Sequence, residues 1–496
     1  MYFKSTRDQS KKVTSAQAIA QGLSAEGGLF VPESLPAITL DTLKELKEKT
    51  YIERAIFVLS QFLTDFSSEQ LENCVKNAYQ ADKYKSESIT EISHLYEGTY
   101  MLELWHGPTC AFKDMALQLL PHLLTTSATI VNNEKEIVIL VATSGDTGKA
   151  ALEGFKDVNG TKIIVFYPVD GVSPMQKRQM TTQQGDNVYV CAINGNFDDA
   201  QTAVKTIFTD KELAKVMEQN GKLFSSANSI NWGRLVPQIV YYVSAYCDLL
   251  KNEEITLGEK INVVVPTGNF GNILAAYYAK KMGVPFDKLI CASNENKVLT
   301  DFINTGIYNK NREFKATISP SMDILISSNL ERLLFDLSGC DDQAINEWFA
   351  SLNKTGVYEV SDSVKQELSK QFFGGYCTDE ETKATIKKVF DRYSYLCDTH
   401  TAVAVKVFEE YKQKTGDTKK AIIASTANPY KFTASVLSAV SSEVCEDEYE
   451  QVAELNRISG LEVPQALANL KQCKVRFEGS IEKQDIKAEV TKVLHL

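Results

Sequence analysis

The sequence contains no CxxC pair, no HxH or HExxH spacing, no apolar run near the length of a membrane span and no surplus of positive charge. Each absence removes a class of function. The ten cysteines, from Cys74 to Cys473, stand singly, so zinc ribbons and thioredoxin-type chemistry have no support. A chain of 496 residues needs no disulfides for stability, and reduced thiols in a reducing, cytoplasmic compartment are expected. The five histidines (His94, His106, His122, His400 and His495) lack metal-ligand spacing, so no His-based metal site is expected. The opening stretch MYFKSTRDQSKK lacks the apolar core of a secretory signal, and no segment predicts a membrane partner. A net charge of −11 argues against a nucleic-acid partner, which needs a cationic face. A small anionic ligand needs only a local positive pocket and is not excluded.

What is present is an ordinary globular composition, 44% hydrophobic and 24% charged, on a chain too long for one core. The first hundred residues read mostly as helix: Ile52, Ile56, Leu59, Phe62 and Leu63 fall mainly on one helical face. Residues 24–36 read as a Gly/Pro-punctuated loop. Beyond residue 100, short apolar runs at 136–143, 162–168, 187–193, 261–267, 288–293 and 420–426 alternate with helical stretches. Strands buried on both faces have this composition, and intervening helices imply parallel pairing. The expected fold class is α/β with open, doubly wound parallel sheets. The stretch 341–415 reads as helical. The expected division is a mainly helical region over 1–98, a smaller α/β domain over 99–222 and a larger one over 223–496 with helical insertions.

In open parallel sheets, ligands bind beyond the carboxyl ends of the strands. Three strand-to-helix turns are rich in Gly, Ser, Thr and Asn. The first holds Ser144, Gly145, Asp146, Thr147 and Gly148. Free N–H groups at a helix start bind anions, but residue 143 is Thr, so the nucleotide P-loop spacing fails. The second holds Gly268, Asn269, Phe270, Gly271 and Asn272. It is GxxG, so the dinucleotide fingerprint is absent, yet two glycines let the backbone approach a phosphate. Each turn also reads as an ordinary cap without ligand. The third, IIASTANPYKF, offers the hydroxyls of Ser425 and Thr426 at a strand end, or simple capping near Pro429. A fourth feature places Lys113 after the Gly107-Pro108 turn, near a helix start. There the helix field disfavours the ammonium and suits an amine that must attack or deprotonate; the alternative is a snorkelling surface lysine.

Together, HGPTCAFKD, TSGDTG at 143–148, PTGNFGN at 266–272 and STANPYKF at 425–432 resemble the threonine synthase family. SAEGGLFVP, NSINWGR at 228–234 and DTHTAVAV at 398–405 extend the resemblance over nearly the whole chain. Related enzymes of the tryptophan-synthase-β type usually carry Asn where Asp146 stands. The family's STRG and DGG are here Ser5-Thr6-Arg7-Asp8 and Glu26-Gly27-Gly28.

The resemblance implies a carbon–oxygen lyase that turns O-phospho-L-homoserine and water into L-threonine and phosphate by γ-elimination and β-hydration, with pyridoxal 5′-phosphate as cofactor. Lys113 then carries the cofactor as a Schiff base. Gly268, Asn269, Phe270, Gly271 and Asn272 hold its phosphate, and Thr426 or Ser425 faces its ring nitrogen. Ser144, Gly145, Asp146 and Thr147 hold the substrate carboxylate. Among Arg234, Lys177, Arg178, Lys149 and Arg7, the expected ligand of the substrate phosphate is Arg234, with Asn231 beside it. The expected state is a monomer or homodimer. A serine/threonine dehydratase or cysteine synthase of the same fold, an inactive cofactor-binding homologue, and a non-catalytic nucleotide-binding module remain the competing readings.

Overall fold

The computed structural model describes the chain except residues 85–87, 144, 171 and 444. Two parallel sheets dominate. The five-stranded sheet runs in the order Ser480–Glu482, Val188–Asn194, Thr161–Pro168, Glu136–Ala142, Lys222–Ser225, and every pair is parallel. The six-stranded sheet runs Phe372–Tyr376, Phe286–Ser293, Ile261–Pro266, Ala421–Ser425, Thr99–Glu103, Glu91–Tyr96. Only its last pair is antiparallel. The central strands Ile261–Pro266 and Ala421–Ser425 are buried along their whole length, because helices cover both faces. The α/β class with parallel sheets follows, and all six apolar runs are strands.

The sheets cut across the expected boundaries. Thr99–Glu103, placed by sequence with the smaller domain, pairs with Ala421–Ser425 in the larger sheet. Ser480–Glu482, from the far end of the chain, is an edge strand of the smaller sheet. The first region is mainly helical, as expected, with a small sheet beside its helices. It holds helices Ser15–Gln21, Leu40–Leu46, Tyr51–Phe62 and Ser68–Ala78, but also an antiparallel sheet of Lys12–Thr14, Tyr2–Ser5 and Phe30–Pro32. The strand Phe30–Pro32 lies inside the expected loop. Within 341–415, helices predominate, but Phe372–Tyr376 is a strand; its two glycines masked the β signal.

Trp232–Lys251 is the helix that ties these parts together. It is buried almost throughout, from Trp232 to Leu250. Trp232 packs edge-on against Phe3 at 5.1 Å and tilted against Phe62 at 5.5 Å, joining the N-terminal sheet and helix to the core. Truncating a buried tryptophan of this kind costs roughly 3–5 kcal/mol. Among the described residues no helix is long and apolar enough to cross a membrane.

Candidate active site

Lys113 is the residue immediately before the short helix Asp114–Leu117. The turn leading to it is built on Asp114, which accepts from the Thr109 N–H at 2.8 Å and the Thr109 hydroxyl at 2.6 Å. Gly107 lies so close that a Cβ there would stand 2.7 Å from the Asp114 side chain. Lys113 is only 8% exposed, and its Nζ sits 4.9 Å from the Phe112 ring centroid and donates to Ser321 Oγ at 3.2 Å. Burial pulls its ammonium down to about 8; Asp146 opposes the shift, while Arg234 and Lys431 add to it. The direction is the one expected from sequence, but the cause is burial rather than the field of a four-residue helix.

The third sequence motif lies against this segment. The Phe112 N–H donates to the Thr426 carbonyl at 2.8 Å, and Ala111 pairs with Ala427 in an isolated bridge. The two candidate hydroxyls differ in their surroundings. Ser425 Oγ accepts from Trp105 Nε1 at 3.0 Å and from the Tyr395 hydroxyl at 3.3 Å, and lies 3.3 Å from Thr401 Oγ1. The Thr426 hydroxyl makes no hydrogen bond among the described residues, although Thr426 is only 5% exposed. Thr426 is therefore the one left with capacity for a ligand.

In the first motif, Ser144 lies outside the described residues. Gly145 adopts φ 143°, and a Cβ there would collide with the Gln176 carboxamide. Thr143 Oγ1 accepts from the N–H groups of Gly145 and Gly148 at 3.0 Å each, shaping the turn that opens the helix Asp146–Phe155. Thr147 follows in its first turn. The Asp146 carboxylate is ion-paired with Lys431 at 3.0 Å and accepts from Gln176 Nε2 at 3.1 Å. Burial alone would raise Asp146, but Lys431, Lys113 and Gln176 outweigh it and hold the carboxyl well below the usual range. Its side chain is thus a paired anion, and only the N–H groups of this turn suit an incoming carboxylate.

The second motif opens the helix Gly271–Met282, with Phe270 left-handed at φ 63°. Gly268 is required by a neighbour: a Cβ there would stand 2.7 Å from the Ser321 carbonyl oxygen. The Gly268 carbonyl accepts from Ser327 Oγ at 2.8 Å, and the exposed Asn269 offers its carbonyl to Asn329 N–H and Nδ2, both at 3.1 Å. A Cβ on Gly271 would come within 3.5 Å of Asn329 Nδ2 and 3.6 Å of Gln238 Nε2. Asn272 accepts at Oδ1 from the Tyr242 hydroxyl, while its Nδ2 is buried without a partner among the described residues. An orphaned amide donor at a helix start, beside the free N–H groups of the first turn, fits a phosphate.

The basic residues separate clearly. Arg7 forms a two-pronged pair with Glu331, Nε to Oε1 at 3.0 Å and a second nitrogen to Oε2 at 2.8 Å. Arg178 donates to the carbonyls of Leu470, Lys471 and Cys473. Lys149 pairs with Glu153 at 3.0 Å, and Lys177 is exposed. Arg234 is 7% exposed, and among the described residues its guanidinium makes one hydrogen bond, to the Ala227 carbonyl at 2.7 Å. It has no carboxylate partner among the described residues, and burial pushes its guanidinium down to about 10. Asn231 has structural work: Oδ1 caps the helix by accepting from Gly233 N–H at 2.9 Å, and Nδ2 donates to the Ile19 carbonyl at 3.0 Å. It orients the start of the helix that carries Arg234.

Lys431, Gln176 and Ser321 were not singled out by sequence reasoning. Lys431 stood inside a quoted motif, but its partner Asp146 is remote in the chain. One gathering of possible metal ligands, Glu91, Glu103 and His106, places its ligand atoms within 4.8 Å of one another. In it Glu103 already takes hydrogen bonds from His106 at 2.8 Å and Ser93 at 2.7 Å.

Comparison with known proteins agrees with this geometry. Residues 2–79 match the threonine synthase N-terminal family, residues 93–363 the pyridoxal-phosphate dependent enzyme family, and residues 401–488 the threonine synthase C-terminal family. The chain belongs to the threonine synthase family of pyridoxal-phosphate dependent enzymes. Threonine synthase of Saccharomyces cerevisiae is 37% identical over 88% of the chain and 89% of its own length. The pyridoxal-phosphate-bound threonine synthase of Brucella melitensis superposes with a TM-score of 0.88 at 35% identity, covering 100% of this chain and 99% of that one. Threonine synthase-like 1 of Homo sapiens is 40% identical over 90% of this chain, but the chain spans only 61% of that protein's length.

Proposed function

We propose that the chain converts O-phospho-L-homoserine and water to L-threonine and phosphate. The observation that carries this reading is Arg234, a buried guanidinium with no carboxylate partner among the described residues, electrostatically coupled to Lys113. Among the described residues, Lys113, Lys431 and Arg234 outnumber the two carboxylates that act on them, Asp146 and Asp114, in this pocket of an acidic protein. A substrate bearing both a carboxylate and a phosphate offsets that surplus.

Lys113 would bind the cofactor through its amine. The N–H groups of Gly271 and Asn272, the Asn272 amide, and the turn through Gly268, Asn269 and Phe270 would cradle the cofactor phosphate. The Thr426 hydroxyl would meet the ring nitrogen. When bound, the cofactor supplies a sink for the negative charge that develops on the substrate carbons. The chain's own groups do the rest. The turn at Gly145, Asp146 and Thr147, together with Ser144, grips the substrate carboxylate. The Lys113 amine, when free, would take the proton from Cα and then move a proton at Cβ; an amine near 8 is poised for both directions of transfer. Arg234 binds the phosphate that departs from Cγ, and water then adds at Cβ. Ten singly placed cysteines support a cytoplasmic location, and a monomer or homodimer is the assembly proposed.

The deciding assay mixes the purified chain, pyridoxal phosphate and O-phospho-L-homoserine and measures both products. Equal release of phosphate and threonine is expected. Ammonia from serine or threonine, or sulfide-dependent cysteine formation, with no phosphate released, would sink the proposal in favour of the dehydratase or cysteine synthase reading.

A further inference from the structure

We propose that Ser321 is a positioning residue for Lys113, and that His400, oriented by Asp398, fixes the backbone that presents the Ser321 hydroxyl. The inference rests on Lys113 being the cofactor-bearing amine.

Ser321 lies in a short 3₁₀ turn, Pro320–Met322, within a segment otherwise free of regular structure. That segment is pinned at several points. Asn294 Nδ2 donates to the Ser319 hydroxyl at 3.1 Å and to Asp323 Oδ1 at 2.7 Å. Asp323 also accepts from the Thr317 hydroxyl at 2.8 Å and its N–H at 2.9 Å. Further on, Ser327 N–H donates to the Tyr308 hydroxyl at 2.9 Å and Ser327 Oγ to the Gly268 carbonyl. The segment is therefore a fixed strap laid on the Gly268–Asn272 turn, not a loose tether.

At its centre, three contacts converge on one residue. Ser321 Oγ accepts from Lys113 Nζ at 3.2 Å, the Ser321 carbonyl packs against Gly268, and the Ser321 N–H donates to His400 Nε2 at 3.2 Å. A backbone N–H can only donate, so His400 Nε2 is the acceptor and the ring proton sits on Nδ1. That proton goes to Asp398 Oδ1 at 2.9 Å. Asp398, fully buried, is held in turn by the N–H groups of His400 at 2.8 Å and Thr401 at 3.3 Å, and by the Thr401 hydroxyl. His400 is 3% exposed and tilts against Phe432 at 4.9 Å. The buried His400 ring thus links Asp398, the N-cap of the helix Thr399–Thr415, to the backbone N–H of the serine touching Lys113. A plain loop anchor needs no such link: any carbonyl would accept that N–H.

The chemical consequence concerns orientation. The Lys113 amine would have to return to the same place for each proton transfer. A hydroxyl fixed by a rigid strap gives it one resting point, which reduces the search over lysine rotamers.

The test uses full-length variants and two readouts. One is the rate at which added pyridoxal phosphate acquires the visible absorbance of a lysine-bound cofactor, with Lys113→Ala as blank. The other is kcat and KM for O-phospho-L-homoserine. Ser321→Ala is expected to slow both the absorbance change and kcat about tenfold, the effect of one hydrogen bond to a charged group, with KM within about twofold. Ser321→Thr, which keeps the hydroxyl, is expected to restore both. His400→Leu is expected to reproduce the kcat loss and His400→Gln, which keeps an acceptor, to avoid it. That second pair decides the matter if Ser321→Ala does not fold. The proposal is overturned if Ser321→Ala matches the native chain in both readouts, if Ser321→Thr is folded yet as slow as Ser321→Ala, or if His400→Leu and His400→Gln behave alike. Slowed absorbance in Ser321→Ala with no threonine from the native chain would uphold the positioning role and overturn only the proposed reaction. Absorbance retained in Lys113→Ala would overturn both.

Discussion

Replacing Arg234 with methionine should make the protein less active and no less stable. A guanidinium lowered from its ordinary value to about 10 is disfavoured in its charged form by about 3 kcal/mol in the fold. The sign follows from linkage. A base whose folded-state pKa lies below its unfolded value costs stability at every pH below the lower of the two, so the penalty is present in full near neutrality. Methionine keeps much of the aliphatic stem and removes the charge. It also removes the donor to the Ala227 carbonyl, a loss of about 1 kcal/mol. Shorter side-chain contacts subtract a similar amount, so the balance is an unfolding midpoint in urea that is unchanged or higher. Catalysis should move the other way. Losing a charge-assisted hydrogen bond to the substrate phosphate, about 1.5–3 kcal/mol, lowers kcat/KM for O-phospho-L-homoserine roughly 10- to 150-fold. The measurements are urea unfolding of the ligand-free chain and steady-state phosphate release. A large fall in the urea midpoint with an unchanged KM would refute the reasoning, since it would make Arg234 a structural residue whose partner had been overlooked.

Other expectations follow from the same pocket. In the cofactor-free chain, the rate of cofactor attachment, read by visible absorbance, should rise with pH through about 8 and not near 10.5, because only the neutral amine attacks; Lys113→Ala should show neither absorbance nor turnover. Lys431→Met strands the buried Asp146 carboxylate and should lower stability by roughly 3–5 kcal/mol in urea unfolding, whereas adding Asp146→Asn should recover most of that loss; additive losses would contradict the pairing. Ser425→Ala should cost about 1 kcal/mol of stability by removing the acceptor of the half-buried Trp105 donor, while Thr426→Val should leave stability nearly unchanged and alter the absorbance of the bound cofactor.

How much of this was legible in the sequence follows from the range of each interaction. The six apolar runs became strands because burial on both faces leaves a local compositional mark. The Gly-rich turns could be read because Gly145, Gly268 and Phe270 sit where the backbone is crowded or left-handed, and such positions select residue type locally. Thr99–Glu103 could not be assigned to its sheet, since its partner Ala421–Ser425 lies more than three hundred residues away and nothing in either segment names the other. The same limit hid Ser321. A serine between proline and methionine carries no periodicity, and its importance comes from three contacts made by remote segments.

The charge arrangement joins these two kinds of residue. Asp146 alone, read from sequence, looked like a ligand for the substrate carboxylate. Its pairing with the distant Lys431 makes it a buried counter-ion instead, and that alters what the turn can bind. Asp146 opposes the field of Lys431 and Arg234 on Lys113, whose amine is depressed first of all by burial. An asparagine there would leave Lys431 unpaired and Lys113 beside one more uncompensated cation, so the amine would be pushed lower still. In Asp146→Asn the onset of cofactor attachment should therefore move below pH 8, and addition of Lys431→Met should move it back up. An onset that ignores both substitutions would show that Lys113 is governed by burial alone.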